Sequence, residues 1–266
     1  MNKLTSILKP LMPIIAAAYG IAVIFVTALP MSGDSSSASG ELLSMLLTVA
    51  GIGLTFFLVK CVEPKLFASV RQFSLKLPKW PIIVGLFMIA PLWSVAEGYI
   101  VYGLTSLVHA VQMEPLTFTP EELREDLTAS IHAVLLAPVL EELCFRQMAI
   151  SPFRSRRAQI VVCVIMGLLF GFLHVRNFPG AFFSAMVYGL VFIWSRNIWY
   201  GIVLHAGHNL TAMLFALYCW LGLGDIQMTK TPVIFLADAK LFVGSIILAA
   251  VGIYIVAVWR KKTQII

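Results

Sequence analysis

The chain is a succession of long apolar stretches separated by short polar connections. A helix needs about 20 apolar residues to cross the hydrocarbon core of a bilayer, and about eight stretches approach that length. The predicted spans are approximately Leu11–Leu29, Leu42–Val62, Pro81–Val111, Leu127–Ile150, Ala158–His174, Gly180–Ser195, Ile198–Leu223 and Ala239–Trp259. The pattern therefore predicts an all-α fold, a polytopic transmembrane helical bundle that forms one integral-membrane domain over residues 1–266.

The composition indicates that the chain is surrounded by lipid rather than by water. Hydrophobic residues make up 60% of it and charged residues 12%, against about 45–50% and 25% in an ordinary soluble domain. This balance excludes a secreted disulfide module, a disordered chain and a nucleic-acid binder, so the predicted partner is the bilayer. The four cysteines form no CxxC pair and lie in or beside apolar runs, which predicts packing residues.

The charged residues predict an orientation. Most of the 19 lysines and arginines fall in alternate connections, and the opposite connections hold only Arg124, Arg176, Lys230 and Lys240. The positive-inside rule then places both termini in the cytoplasm. The tryptophans lie mostly near span ends, as interfacial anchors do. The short loops and the lack of organelle signals favour an integral protein of a prokaryotic plasma membrane.

The fourth predicted span carries a dense polar motif. Glu141 and Glu142 are adjacent, and Arg146 follows four residues after the second carboxylate, so Glu142 and Arg146 share a helix face. Glu141 is rotated about 100° from that face and can point elsewhere. Pro138 lacks an N–H and predicts a loosened turn just before the pair. The alternative interpretation is an interfacial ion pair that holds the topology.

Two later spans carry further polar residues. The fifth span ends in Phe170 and His174, and the seventh contains His205, His208 and Asn209. His205 and Asn209 share one face, and unpaired polar groups are costly in lipid. The alternative for this span is a helix–helix hydrogen bond that stabilises the bundle.

A lone acid, Glu97, lies in the third span, where it predicts a kink or a lining position.

Glu141, His174, His205 and Asn209 together suit the attack of an activated water on a carbonyl. A carboxylate can take a proton from the water, and an imidazole can orient the water or protonate a leaving amine. An amide and an imidazole N–H can stabilise the developing oxyanion. Peptide-bond hydrolysis is therefore a reasonable hypothesis from the residue types.

Three motifs follow one another on separate spans in the order EExxxR, FxxxH and HxxxN. They comprise Glu141, Glu142, Arg146, Phe170, His174, His205 and Asn209. This order resembles the CPBP family, which contains type II CAAX prenyl endopeptidases and bacteriocin-processing or self-immunity (Abi) membrane proteins. The resemblance covers roughly Pro138–Asn209 and predicts a protease core over about residues 120–223.

The resemblance implies an intramembrane endopeptidase that is accessible from the cytoplasmic side. Glu141 would activate the water with help from His174, while His205 and Asn209 would form the oxyanion site. Its substrate would be a membrane-delivered peptide or protein, a class that includes prenylated CAAX proteins. The supporting residues would be Glu142, Arg146 and Phe170.

Three alternatives remain at this point. Glu141, His174 and His205 could ligate zinc, although a metal-free site without a cofactor is preferred because no HExxH-like pair is present. The chain could be a catalytically silent scaffold, or an immunity or regulatory partner. It could also be a proton-coupled transporter that uses Glu97, Glu141 and His205, against which no inverted repeat is visible.

Overall fold

The computed structural model describes residues 3–28, 38–62, 73–108, 110–230 and 233–264. Its α-helices are α1 (Lys3–Ala28), α2 (Ala38–Phe57), α3 (Trp80–Ser106), α4 (Pro120–Leu135), α5 (Ala137–Glu142), α6 (Arg156–Leu173), α7 (Phe178–Ser195), α8 (Ile198–Trp220) and α9 (Ala239–Gln264). Two π-helical segments cover Leu58–Val62 and Leu143–Met148, and a 3-10 turn covers Val175–Asn177. The strands are β1 (Glu114–Pro115), β2 (Gln227–Lys230) and β3 (Val233–Leu236).

The predicted helical bundle is confirmed. The described residues contain 8 helical segments that are long and apolar enough to cross a membrane, and these segments indicate an integral membrane protein. Six lie within single helices, and Leu42–Lys60 runs from α2 into the first π-helical segment. The remaining one, Pro120–Met148, combines α4, α5 and the second π-helical segment. The Ser/Gly-rich connection predicted at 31–40 lies mostly outside the described residues.

A small antiparallel sheet of order β1-β2-β3, which the sequence did not predict, joins the helices at one end of the bundle. Met228 of β2 pairs with Glu114 of β1 and with Phe235 of β3. Because successive spans alternate in direction, this end also contains the start of α4 and the ends of α3 and α8. We call it the sheet end.

The opposite end, which we call the basic end, is held by cation–aromatic contacts. The Arg260 guanidinium lies 3.6 Å from the Trp194 ring centroid, and the Lys79 ammonium lies 6.0 Å from that of Trp259. Such pairs suit an interface where an aromatic ring meets solvated cations. Trp194 and Trp259 are among the tryptophans for which the sequence predicts an interfacial position.

Capping residues and a tight turn fix the ends of the helices that contain the candidate site. Thr119 caps α4 in a capping box with Glu122, and Pro120 follows in the first turn, where its missing N–H has no cost. Arg196 adopts a left-handed conformation (φ 59°), and Asn197 caps α8 by accepting from the Trp199 N–H at 3.0 Å. This tight turn makes α7 and α8 antiparallel neighbours, so their facing side chains meet along both helices.

The α5 segment lies in the core of the bundle. Leu140, Leu143 and Phe145 are buried in one apolar cluster with residues of α1, α6, α7 and α8. Phe145 meets the Phe170 ring edge to face, with centroids 5.7 Å apart. The carboxylates that follow Leu140 are therefore surrounded by packed helices rather than by solvent.

Candidate active site

A break in the fourth span places the two carboxylates. α4 ends at Leu135 and α5 begins at Ala137, with Pro138 in the first turn of the new helix. The loosened turn predicted from Pro138 is therefore present. A π-helical segment follows directly after Glu142, and such segments inside α-helices are frequent at functional sites because they change the direction of side chains.

Glu142 forms the buried centre of the site. Its side chain is fully buried, and its Oε1 lies 3.2 Å from an Arg146 guanidinium nitrogen, which is the predicted pair. The same oxygen accepts a hydrogen bond from His205 Nδ1 at 3.1 Å. Arg146 also donates to the Ala185 carbonyl of α7 at 3.3 Å. The carboxylate thus joins the fourth span to α8, and its arginine joins that span to α7.

His205 lies between both carboxylates. Its Nδ1 faces Glu142, and its Nε2 lies 3.6 Å from Glu141 Oε2. That second distance is longer than a hydrogen bond, so Glu141 is held less closely than Glu142. The Glu141 side chain is also the more exposed of the two, at 13% against 0%. The predicted rotation of the two carboxylates thus brings them to opposite sides of one imidazole.

His174 borders the site through Phe170. It is the C-cap residue that directly follows α6, and its Nδ1 donates to the Phe170 carbonyl at 2.8 Å. The two rings lie 4.3 Å apart, and Phe170 in turn meets the His205 ring edge to face at 6.0 Å. Because Nδ1 is the donor, Nε2 of a neutral His174 is an acceptor.

Asn209 lies one helical turn beyond His205 on α8. Its amide donates to the Ala133 carbonyl at 2.7 Å, within the turn of α4 that precedes the Pro138 break. Neighbouring helices often supply donors of this kind where a proline interrupts a membrane helix. This bond is the helix–helix contact considered as the alternative for the seventh span. This bond uses one of the two amide hydrogens of Asn209.

Gly201 creates the space that Glu142 occupies. A Cβ added at this position of α8 would lie 2.9 Å from Glu142 Oε2. That oxygen is buried and has no hydrogen-bond partner among the described residues. The close approach of α8 to the carboxylate therefore depends on a residue without a side chain.

Replacement of Gly201 by alanine is expected to lower the free energy of unfolding by about 1–3 kcal/mol, the usual cost of overpacking. The added methyl group would press Glu142 away from His205. Intrinsic tryptophan fluorescence during thermal unfolding in detergent would measure the loss. Gly53→Ala is the matched control, since nothing lies within 4 Å of its added Cβ. Equal unfolding temperatures for the two variants would contradict the packing described here.

A second polar cluster lies beside the first. Glu97 of α3 accepts a hydrogen bond from Ser184 of α7, whose oxygen in turn accepts from Trp93 Nε1 at 2.8 Å. His208 Nδ1 lies 3.2 Å from the Ser184 oxygen and 2.6 Å from the Tyr188 hydroxyl. Glu97 and His208 are visible in the sequence as polar groups in apolar spans. No sequence signal marks Ser184, Tyr188 or Trp93.

Tyr188 is the contact between the two clusters. Its hydroxyl bonds to His208, while its ring stacks on His205 with centroids 4.7 Å apart and planes 20° apart. A ring stack carries no proton, so the described contacts give no hydrogen-bonded path from Glu97 to Glu141. The proton-coupled transporter considered from the sequence gains no support here.

No group of three histidine, cysteine or acidic side chains within the described part of the chain is arranged to hold a metal ion. Cys144, Cys163 and Cys219 are free thiols, whereas the side chain of Cys61 lies outside the described residues. The zinc set considered from the sequence, Glu141 with His174 and His205, is therefore not assembled as three converging ligands.

One family model matches the part of the chain that carries this site. Residues 124–211 match the type II CAAX prenyl endopeptidase family, Rce1-like. The Rce1-like segment covers about a third of the chain and contains all of the predicted site residues. It confirms the resemblance to CAAX proteases and supports, at the level of the family, a CAAX-protease-like membrane peptidase. No curated protein and no solved structure matches the chain.

Proposed function

We propose that this chain is an intramembrane endopeptidase in which Glu141 activates the water that hydrolyses a peptide bond. The observation that carries the proposal is the position of His205 between Glu141 and Glu142 inside a bundle of apolar helices. Buried ionisable groups in membrane spans are costly and are a functional hypothesis by default. The cluster also falls within the Rce1-like segment, which supports a peptidase.

Glu141, rather than Glu142, is the proposed base. Glu142 is fully buried and holds Arg146 and His205, so both its environment and its contacts suit a supporting role. Glu141 is partly exposed and is not bound tightly to His205. A base must lie within hydrogen-bond reach of the water from which it takes the proton. The carboxylate that is both more exposed and less constrained meets this requirement.

In the proposed reaction, the water oxygen attacks the substrate carbonyl while its proton passes to Glu141. Nδ1 of His205 donates to Glu142, so the form of His205 that takes part in this step carries a proton on both ring nitrogens. Its Nε2 N–H and the second amide hydrogen of Asn209 stabilise the oxyanion, and donors of this kind typically contribute about 3–4 kcal/mol each. His174 assists through Nε2 by orienting the water. The C–N bond then breaks, and the leaving amine takes up the proton. These steps require no metal.

The proposed orientation has both termini in the cytoplasm and the site accessible from that side. The basic end of the bundle carries Lys79, Arg196 and Arg260, as the positive-inside rule requires of a cytoplasmic face. His205 follows the start of α8 by about two helical turns, on the order of 10 Å from the basic end. A substrate delivered along the membrane, such as a prenylated peptide, could reach it there.

The test is cleavage of quenched fluorescent peptides by the purified protein in detergent, with farnesylated CaaX peptides and their unprenylated counterparts side by side. We expect cleavage of at least one membrane-partitioning peptide, and activity that persists after treatment with a strong zinc chelator. Stoichiometric zinc lost together with activity would overturn the metal-free mechanism. A failure to cleave any peptide would favour the silent scaffold or regulatory partner.

A further inference from the structure

A small cavity adjoins the site on the side of the sheet end. Its volume is about 200 Å³, and it lies between α3, α8, β3 and the turn that precedes α7. Pockets that hold drug-sized ligands are larger, roughly 300–1,000 Å³, so this one suits a single side chain. Asn209, a proposed oxyanion donor, forms part of its wall together with His208.

The polar end of the cavity offers hydrogen-bond acceptors. Glu97 is 6% exposed, and its second carboxylate oxygen accepts the Ser184 hydroxyl. The Asn177 amide also bonds to Glu97, which leaves Asn177 Oδ1 buried and without a hydrogen-bond partner among the described residues. Gly180 allows both side chains to reach this point, because a Cβ there would lie 2.5 Å from Asn177 Oδ1. A buried acceptor without a partner is uncommon and points to an absent donor.

The remaining walls are apolar. Val101, Phe215, Ile234 and Phe235 line the cavity between its polar end and its edge. A side chain that fits such a space has a methylene stem and a donor at its tip. Lysine has this form, since its four methylene groups can lie on apolar walls while the ammonium supplies three donors.

The charged residues that line this cavity and its neighbour also favour a cationic side chain. A wider cavity of about 600 Å³ shares Ala212 and Phe235 with the small one, and Glu122 and Glu125 form part of its lining. Within the described residues, the linings of the two cavities include three glutamates and neither lysine nor arginine. His208 Nδ1 lies 3.6 Å from Glu97 Oε2, beyond hydrogen-bond distance. An ammonium group would therefore be a closer partner for a Glu97 charge, which is costly in an apolar span.

We infer that the cavity bounded by Glu97 and Asn177 is a specificity subsite that takes a lysine side chain of the substrate close to the cleaved bond. The subsite rests on the proposed peptidase function, because Asn209 links its wall to the proposed oxyanion position. The lysine ammonium donates to Glu97 and to Asn177 Oδ1, and the stem packs against Phe215 and Phe235.

The test compares pairs of quenched peptides that differ only by lysine or norleucine at one position near the scissile bond. Norleucine keeps an unbranched apolar stem and lacks the ammonium group. At one position we expect kcat/KM of the wild-type protein to be at least about tenfold higher for lysine. Glu97→Gln should reduce that ratio to about threefold or less, since an amide retains the shape and loses the charge. Glu121→Gln, an exposed glutamate in α4, is the matched control and should keep the ratio.

A second variant fills the cavity and removes no polar group. Ala212→Leu adds three carbons to the wall shared by the two cavities and should also lower the lysine preference. Tryptophan fluorescence during thermal unfolding shows whether Glu97→Gln and Ala212→Leu have folded. If one of them has not folded, the lysine-to-norleucine ratio of the other variant is the test of the subsite. A lysine-to-norleucine ratio near one at every position, or a ratio unchanged in both variants, would overturn the subsite.

A binding measurement distinguishes a failure of the lysine subsite from a failure of the proposed peptidase function. Fluorescence anisotropy of the same peptides on the Glu141→Gln protein reports affinity without turnover. Lysine-dependent affinity that is lost on adding Glu97→Gln would support the site even where the wild-type protein cleaves nothing, so that the peptidase proposal alone would fail. Cleavage by the wild-type protein without any lysine preference in rate or affinity would overturn the subsite and leave the peptidase proposal standing.

Discussion

Replacement of Glu141 by glutamine is expected to lower kcat by about 100- to 10,000-fold, the range that general-base catalysis typically contributes. The amide has nearly the shape of the carboxylate but cannot accept the proton of the attacking water. KM should change little, because the substrate contacts remain. Initial rates over a range of concentrations of a cleavable quenched peptide, with equal amounts of folded protein in detergent, would measure both parameters.

Glu142→Gln is the informative comparison for this variant. Glu142 accepts from His205 and pairs with Arg146, so its amide should reduce stability as well as activity. Glu141 has looser contacts, so Glu141→Gln should leave the unfolding temperature close to that of the wild-type protein. Retention of full activity by Glu141→Gln, with the activity instead lost in a stably folded Glu142→Gln, would exchange the two proposed roles.

Replacement of Arg146 by methionine is expected to destabilise the fold by roughly 3–5 kcal/mol. Arg146 is 2% exposed, lies 3.2 Å from Glu142 and places its guanidinium 4.9 Å from the Phe170 ring centroid. Methionine fills much of the same volume but leaves the Glu142 carboxylate buried without its cation. Unfolding in mixed micelles with increasing dodecyl sulfate would give the change in free energy.

The double variant Glu142→Gln/Arg146→Met isolates the cost of the uncompensated charge. With both charges removed, at least half of the stability lost in Arg146→Met should return, since removal of a whole buried ion pair is often nearly neutral. A thermodynamic cycle over the two single variants and the double variant gives the coupling energy. A double variant no more stable than Arg146→Met would show that packing, rather than the ion pair, fixes Arg146.

The spans could be predicted from the sequence because each depends on local composition. A run of about 20 apolar residues has few alternatives to a membrane helix, and the structure has spans at all of the predicted places. The break at Pro138 was equally local, since the missing N–H of proline acts on the preceding turn. The sheet of β1, β2 and β3 was not predictable in this way, because its two-residue and four-residue strands pair only when distant ends of α3 and α8 come together.

The centre of the candidate site was partly predictable. Helical spacing alone gives the Glu142–Arg146 pair, which forms at 3.2 Å. The meeting of both carboxylates with His205 depends on how α5 and the π-helical segment pack against α8, and one sequence does not contain that geometry. The need for glycine at position 201 depends on the same packing, because α8 lies close to Glu142 there. The contribution of Tyr188, which stacks on His205 at 4.7 Å, had no local signal.

The most direct test of the central claim is mass spectrometry of one farnesylated CaaX peptide after incubation with the wild-type protein or with Glu141→Gln. We expect the wild-type protein to make one internal cut, so that two fragments appear whose masses add up to the peptide plus one water. Glu141→Gln, folded to the same extent, should return the peptide intact over the same time. Identical fragments in equal yield from both proteins would contradict a mechanism in which Glu141 activates the water.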